Sequence, residues 1–104
     1  MQVVDGPSFG KEVLESKIPV VVDFYADWCP PCKMYSPAFE RVAGKFEGRV
    51  KFVKVNVDNA LDVAKQYDVM SIPSTILFKD GKPAANIVGA FADADLENWI
   101  KEHI

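Results

Sequence analysis

Apolar positions change their period several times along this chain, and each change marks an element. Pro19 to Ala26 (PVVVDFYA) is β-branched and aromatic, and apolar apart from Asp23. Continuous apolar runs of this kind suit a strand covered on both faces, as in parallel sheets. Val50 to Val57 (VKFVKVNV) alternates instead, with Val53, Val55 and Val57 on one face. Between them Met34, Phe39, Val42, Ala43 and Phe46 recur at helical spacing, which predicts a helix from about Pro31 to Phe46. Pro37 falls inside it and should kink it, because proline lacks an N–H and crowds the preceding turn. Strand, helix and strand make a βαβ unit with a right-handed crossover.

The remainder is more punctuated. Ala60 to Tyr67 reads as a short helix and Ser74 to Lys79 (STILFK) as a strand. Asp80-Gly81 is a hairpin turn signal, and a last strand from about Ala85 to Val88 ends at Gly89. From Asp93 to His103 the pattern is an amphipathic helix with Leu96, Trp99 and Ile100 inward. Ser8 to Glu15 is a weaker helix, since Gly10 disfavours it. Phe9, Phe24, Phe39 and Phe78 read as core packing. Alternating strands and helices, then a hairpin and a closing helix, predict an α/β fold with helices on both faces of a mixed sheet.

No repeat or linker divides the 104 residues, so 1–104 reads as one domain, long enough to bury a core without covalent staples. Twelve basic against fifteen acidic residues leave a net charge of -3. Nucleic acid is not an expected partner, because phosphate binding needs clustered Lys and Arg. No apolar run approaches the roughly 18 residues of a membrane span. Asp5 and Glu12 arrive early and no basic start precedes an apolar stretch, so no signal peptide is read. The expected compartment is the cytosol.

Two cysteines change the picture. Trp28-Cys29-Pro30-Pro31-Cys32-Lys33 sits where the first long strand gives way to the long helix. In a cytosolic chain beside a βαβ pattern, C-x-x-C reads as a redox pair. Only thiolate attacks a disulfide, and a thiol of pKa ~8.5 is roughly 3% ionised at pH 7. Unpaired N–H groups and the positive dipole end at a helix N-terminus favour the thiolate. Cys29, at the cap, is thus the better placed nucleophile, and Cys32, one turn inside, can resolve the mixed disulfide. Three plainer readings compete. A structural disulfide over so short a loop contributes only roughly 2 kcal/mol and would meet cytosolic reductants. Zinc needs about four ligands, which two Cys and the distant His103 do not supply unless two chains pool their cysteines. The third is a pair of inert core cysteines.

The segment VDFYADWCPPCKM at positions 22 to 34 resembles the active-site strand and helix start of the thioredoxin family. Lys54 in VKVNVD, Ile72-Pro73 before STILFKDG, and Val88-Gly89-Ala90 before the last helix follow in that family's order and spacing. The resemblance covers nearly the whole chain. It implies a thioredoxin fold, a central and mainly five-stranded mixed sheet flanked by four helices, and an activity in protein disulfide reduction. Its clients would be disulfide-containing proteins. A flavoprotein or ferredoxin-linked thioredoxin reductase would recharge it, with no cofactor or metal beyond the Cys29–Cys32 disulfide, and it would act as a monomer. Three positions depart from the family: Pro30 stands where Gly is usual, Tyr25 where Trp is common, and Ser74 where Thr is usual.

Asp23 is the one charge in an apolar strand, and burying a carboxylate without a partner is costly. It either reaches water near the strand end or is a buried group whose pKa desolvation raises toward neutrality. The resemblance implies the second, with Asp23 taking the proton from Cys32. Lys54 on a strand is by default a solvated residue; the resemblance places it near Asp23, opposing that shift. Pro73 at a strand start is by default trans, and the resemblance makes it cis and packs it against the cysteines. Trp28, Ile72, Gly89 and Ala90 would then frame an apolar patch around Cys29. Pro30, Pro31 and Pro73 join them as client contacts, and the Ile72 backbone could pair with an extended client segment.

Two alternatives remain at this stage. One is a thiol oxidase or isomerase on the same fold, whose motifs commonly place a His between the cysteines. The other is a non-catalytic module that docks a partner through Trp28. A glutaredoxin fits less well, because Trp28 before the first Cys is not its pattern.

Overall fold

Asp5 starts the first helix of the computed structural model, which describes residues 1–104. Its carboxylate accepts the Ser8 N–H at 3.0 Å while the Ser8 hydroxyl accepts the Asp5 N–H at 3.0 Å, a reciprocal cap. Helix α1 (Gly6–Phe9) then loosens into a π-helical stretch, Gly10–Leu14, at the glycine that disfavours regular helix. Strand β1 (Val20–Tyr25), helix α2 (Pro30–Lys45) and strand β2 (Lys51–Asn56) form the expected βαβ unit. Helix α3 (Leu61–Gln66), the hairpin of β3 (Ser74–Lys79) and β4 (Lys82–Val88), and helix α4 (Asp93–His103) complete the chain. Strand β4 begins three residues before the expected Ala85, because the turn at Asp80-Gly81 lets pairing resume at once, Lys79 against Lys82. Pro83 is tolerated there because β4 is an edge strand.

The strands lie in the order β2-β1-β3-β4, with β1 parallel to β2 and antiparallel to β3. The sheet has four strands and not five, although the architecture is otherwise the expected one. What stands in the fifth place is a single parallel bridge, Val3 to Lys54, with Val4 N–H bonded to the Lys54 carbonyl at 2.8 Å. The cap at Asp5 turns the chain into α1 two residues after Val3, so pairing with β2 ends there.

Side chains alternate across the sheet, and the alternation decides where the site lies. Val20, Val22 and Phe24 face a core shared with Phe9 and Val63 of the α1/α3 side. Val21 faces the opposite core, with Tyr35, Phe39, Val42, Leu96 and Ile100 of α2 and α4. Asp23 has the parity of Val21, so its carboxyl lies on the α2 side, in register with Lys54 and Thr75 on either side.

Helix α2 buries Cys32, Tyr35, Ala38, Phe39 and Val42. Met34, expected inward, is 76% exposed, and Tyr35 takes the core position. Five residues before Phe39, Met34 sits roughly 140° around the helix from it, outside the buried stripe. Pro37 lies inside α2 and leaves the Lys33 carbonyl without its helical donor. Trp99, also expected inward, is half-buried, packing against the α2/α4 core and beside His103.

Candidate active site

Strand β1 ends at Tyr25, and the four residues Ala26 to Cys29 carry the chain to the start of α2. Cys29 is the N-cap of α2, with extended backbone angles of φ −100° and ψ 105°. Pro30 and Pro31 fill the first two helical positions, where a missing N–H costs the helix nothing. The first free donor is therefore the Cys32 N–H, which points at the Cys29 Sγ at 3.3 Å. Cys29 and Cys32 are joined by a disulfide, their Cα atoms 5.3 Å apart. Each is only 3% exposed, in a cluster with Ala26 against which Tyr25, Val57 and Ile72 pack.

The β3 approach covers one side of the sulfurs. The Ile72–Pro73 peptide is cis, Pro73 is buried, and the Ile72 carbonyl oxygen lies 3.9 Å from the Cys29 Sγ. Gly89 N–H donates to the Pro73 carbonyl at 2.9 Å. Gly89 has φ +117°, where a side chain would be strained. Trp28 is 67% exposed, and its indole N–H donates to Asp58 Oδ2 at 2.9 Å. Beside it runs an apolar groove of about 290 Å³, walled by Trp28, Val57, Leu61, Ala64, Val69, Met70 and Ile72, with Lys65 at its margin. The patch expected around Cys29 thus forms from Trp28 and Ile72 but extends toward α3. Gly89 is tied to Pro73, Ala90 is exposed, and neither borders the groove. A larger hollow of about 430 Å³ between α3 and β4 touches none of these residues.

Behind the disulfide the chemistry is different. Asp23 is fully buried, and neither carboxylate oxygen has a hydrogen-bond partner. Burial pushes its pKa up from 3.8 to about 7, against the opposing pull of Lys54. Burial is the larger of the two effects, and the Lys54 ammonium makes no hydrogen bond to the carboxylate. It donates to Ser36 Oγ at 2.6 Å and lies 4.6 Å from the centre of the Tyr25 ring. Lys54 is thus half-buried beside the site, not a solvated face residue. A small hollow of about 160 Å³, lined by Tyr25, Ala26, Asp27, Cys32, Lys33, Ser36 and Lys54, lies beside Cys32. Burial also pushes the Tyr35 phenol up, and its hydroxyl pairs with Thr75 Oγ1 at 2.8 Å.

The family model described as Thioredoxin matches residues 1–102. The chain belongs to the thioredoxin family. It is 45% identical over 101 residues to Thioredoxin 1 of Synechococcus elongatus, covering 97% of this chain and 94% of that one. It is 43% identical over 103 residues to Thioredoxin 1 of Nostoc sp., covering 99% and 95%. Thioredoxin of Haemophilus influenzae is 42% identical over 101 residues, covering 97% and 94%. With its paired cysteines at the head of α2, the chain is a thiol-disulfide oxidoreductase that reduces protein disulfides. Its substrates are disulfide-containing, and a reductase returns it to the dithiol form. No helix is long and apolar enough to cross a membrane.

Sequence reading missed four of the residues around this site. Ser36, Asp58, Leu61 and Met70 carry no motif, and only tertiary contact reveals them. A Trp followed thirty residues on by an Asp in the turn after a strand is too common a pattern to signal a hydrogen bond.

Proposed function

We propose that Cys29 is the attacking thiolate, Cys32 the resolving thiol and Asp23 its proton acceptor. The observation that carries this reading is the Cys29 Sγ at the head of α2, receiving the Cys32 N–H while Cys32 backs onto the Lys54 hollow. The Cys29 thiolate attacks one sulfur of a client disulfide, forming a mixed disulfide and releasing the other client sulfur as thiolate. Asp23 then takes the Cys32 proton, directly or through water in the hollow. The Cys32 thiolate attacks the Cys29 Sγ, the second client sulfur leaves and is protonated, and the Cys29–Cys32 disulfide forms. Two electrons pass to the client at each cycle. Lys54 sets how readily Asp23 ionises. Trp28, Pro30, Pro31, Ile72, Pro73, Gly89 and Ala90 make the client-facing surface, on which an extended client segment pairs with the Ile72 backbone.

The chain acts as a single domain and a monomer in the cytosol, with no bound cofactor or metal. Its electrons come from a flavoprotein or ferredoxin-linked thioredoxin reductase. An oxidase or isomerase is not favoured, since Pro30-Pro31 place no His between the cysteines. A passive docking module is not favoured either, since its groove adjoins a redox disulfide. Insulin-disulfide reduction, driven in turn by each reductase type with its own electron source, tests the reading. Catalytic turnover with one of them is expected. Docking of clients that survives replacement of both cysteines, with no turnover from either donor, would overturn it.

A further inference from the structure

Ser36 lies four residues after Cys32 on α2, hence on the same side of the helix and facing the sheet. Its hydroxyl donates to Glu40 Oε2 at 3.3 Å and accepts from the Lys54 ammonium at 2.6 Å. A hydroxyl has one proton and two lone pairs, so it makes both bonds at once, and each polarises the other. The ammonium therefore has two fixed neighbours, Ser36 and the Tyr25 ring, and neither is Asp23. Yet Asp23 and Lys54 are register partners on adjacent strands, and both Asp23 oxygens lack a donor.

That station matters for the resolving step. An ammonium bonded directly to Asp23 would keep the carboxyl ionised and useless for holding a proton near neutrality. An ammonium released to water would be screened and leave the buried carboxyl harder to ionise. We propose that Ser36 is a positioning residue that holds the Lys54 ammonium between these extremes and so sets the working pH range of the resolving thiol. The inference rests on Asp23 as the proton acceptor. The other titratable groups facing the pair are Tyr25 from β1, Asp27 from the loop after it, and Cys32, Lys33, Tyr35 and Glu40 from α2. Burial pushes both phenols up, so neither tyrosine changes charge near neutrality.

Removing the hydroxyl leaves the ring face as the only anchor, and a strongly hydrated ammonium on a flexible stem then moves to water. Carboxyl-labelled NMR of Asp23 in the oxidised protein measures the result across pH. Ser36→Ala should raise the Asp23 titration midpoint by about half a pH unit, and Lys54→Gln by more. Ser36→Thr, which keeps the hydroxyl, should titrate as wild type. Single-turnover resolution at pH 7 should slow about twofold in Ser36→Ala, following the ionised fraction. Alanine is the best helix former, so α2 should persist, and unchanged far-UV circular dichroism checks it. A Ser36→Ala midpoint equal to wild type, with Lys54→Gln still shifted, would overturn the role of Ser36 alone. A downward shift in Ser36→Ala would overturn it too, by showing that the freed ammonium falls onto Asp23. Should Asp23→Asn resolve as fast as wild type from about pH 6 to 8, the proton-acceptor assignment and this inference fall together.

Discussion

Two prolines between the cysteines decide which donors reach the Cys29 sulfur. Pro30 and Pro31 lack N–H groups, so the Cys32 N–H at 3.3 Å and the dipole of α2 are what remain to stabilise a thiolate there. Less stabilisation of the thiolate disfavours the dithiol, and stiffer intervening residues leave the open dithiol less freedom to lose on closure. Both effects make the protein a stronger reductant. Pro30→Gly should therefore raise the reduction potential by about 10–40 mV, since 30 mV corresponds to about 1.4 kcal/mol for this couple. Equilibration against a dithiol buffer measures it, and a potential that falls would show that ring strain in Pro30-Pro31 outweighs both effects. This much was legible in the linear motif, because both the cap and the donors it lacks belong to neighbouring residues. Ser36 was not, since its significance comes from Lys54 on another element.

Elements were most legible where period and punctuation agree. Strand β3 and helix α4 fall at the expected residues, each bounded by a turn signal or a change of period. Helix α2 was placed to within a residue, and Phe39, Val42 and Phe46 are buried as expected; only Met34 faces out, because Met34 and Tyr35 are adjacent and both apolar enough to face inward. The full stripe from Cys32 to Val42 selects Tyr35. The fifth strand failed for a local reason, the cap at Asp5. The hairpin gives an element-scale test. Asp80 and Gly81 both have positive φ, +52° and +77°, as a tight two-residue turn requires. A Cβ on Gly81 would meet the Leu14 carbonyl oxygen at 2.8 Å, backbone that cannot swing aside. Gly81→Ala should lower stability by about 1–2 kcal/mol. Thermal or urea unfolding reads this directly, and an unchanged midpoint would show that the β3/β4 turn and the π-helical stretch separate at little cost.

Across the whole molecule, the sheet lies between two cores, and the site sits where the central strand β1 ends and α2 begins, with a carboxyl on the α2 side. Burial of Asp23 was one of two readings that its apolar strand left open, and the family resemblance chose it, while the groove from Trp28 to Met70 needs α3 folded onto the sheet and was not readable. Burial of Asp23 couples function to stability. Its carboxyl ionises at 3.8 ordinarily and at about 7 in the folded protein. Between those values the folded state keeps a proton that the unfolded chain has lost, so stability falls as pH rises through the window. Asp23→Asn should be more stable than wild type at about pH 8 by on the order of 2–4 kcal/mol, with the advantage vanishing near pH 4. The same substitution should slow resolution by about tenfold or more at neutral pH. Urea unfolding at both pH values checks the first effect. An advantage independent of pH would mean that the carboxyl is not buried as a charge.

Trapping of a client on single-cysteine variants tests the division of labour between the sulfurs most directly. With Cys32→Ser, a disulfide-bonded client should remain attached to Cys29 as a stable mixed disulfide, visible as a non-reducing adduct. With Cys29→Ser, no such adduct should form. Equal trapping through Cys32 would contradict the assignment of Cys29, at the head of α2, as the attacking sulfur.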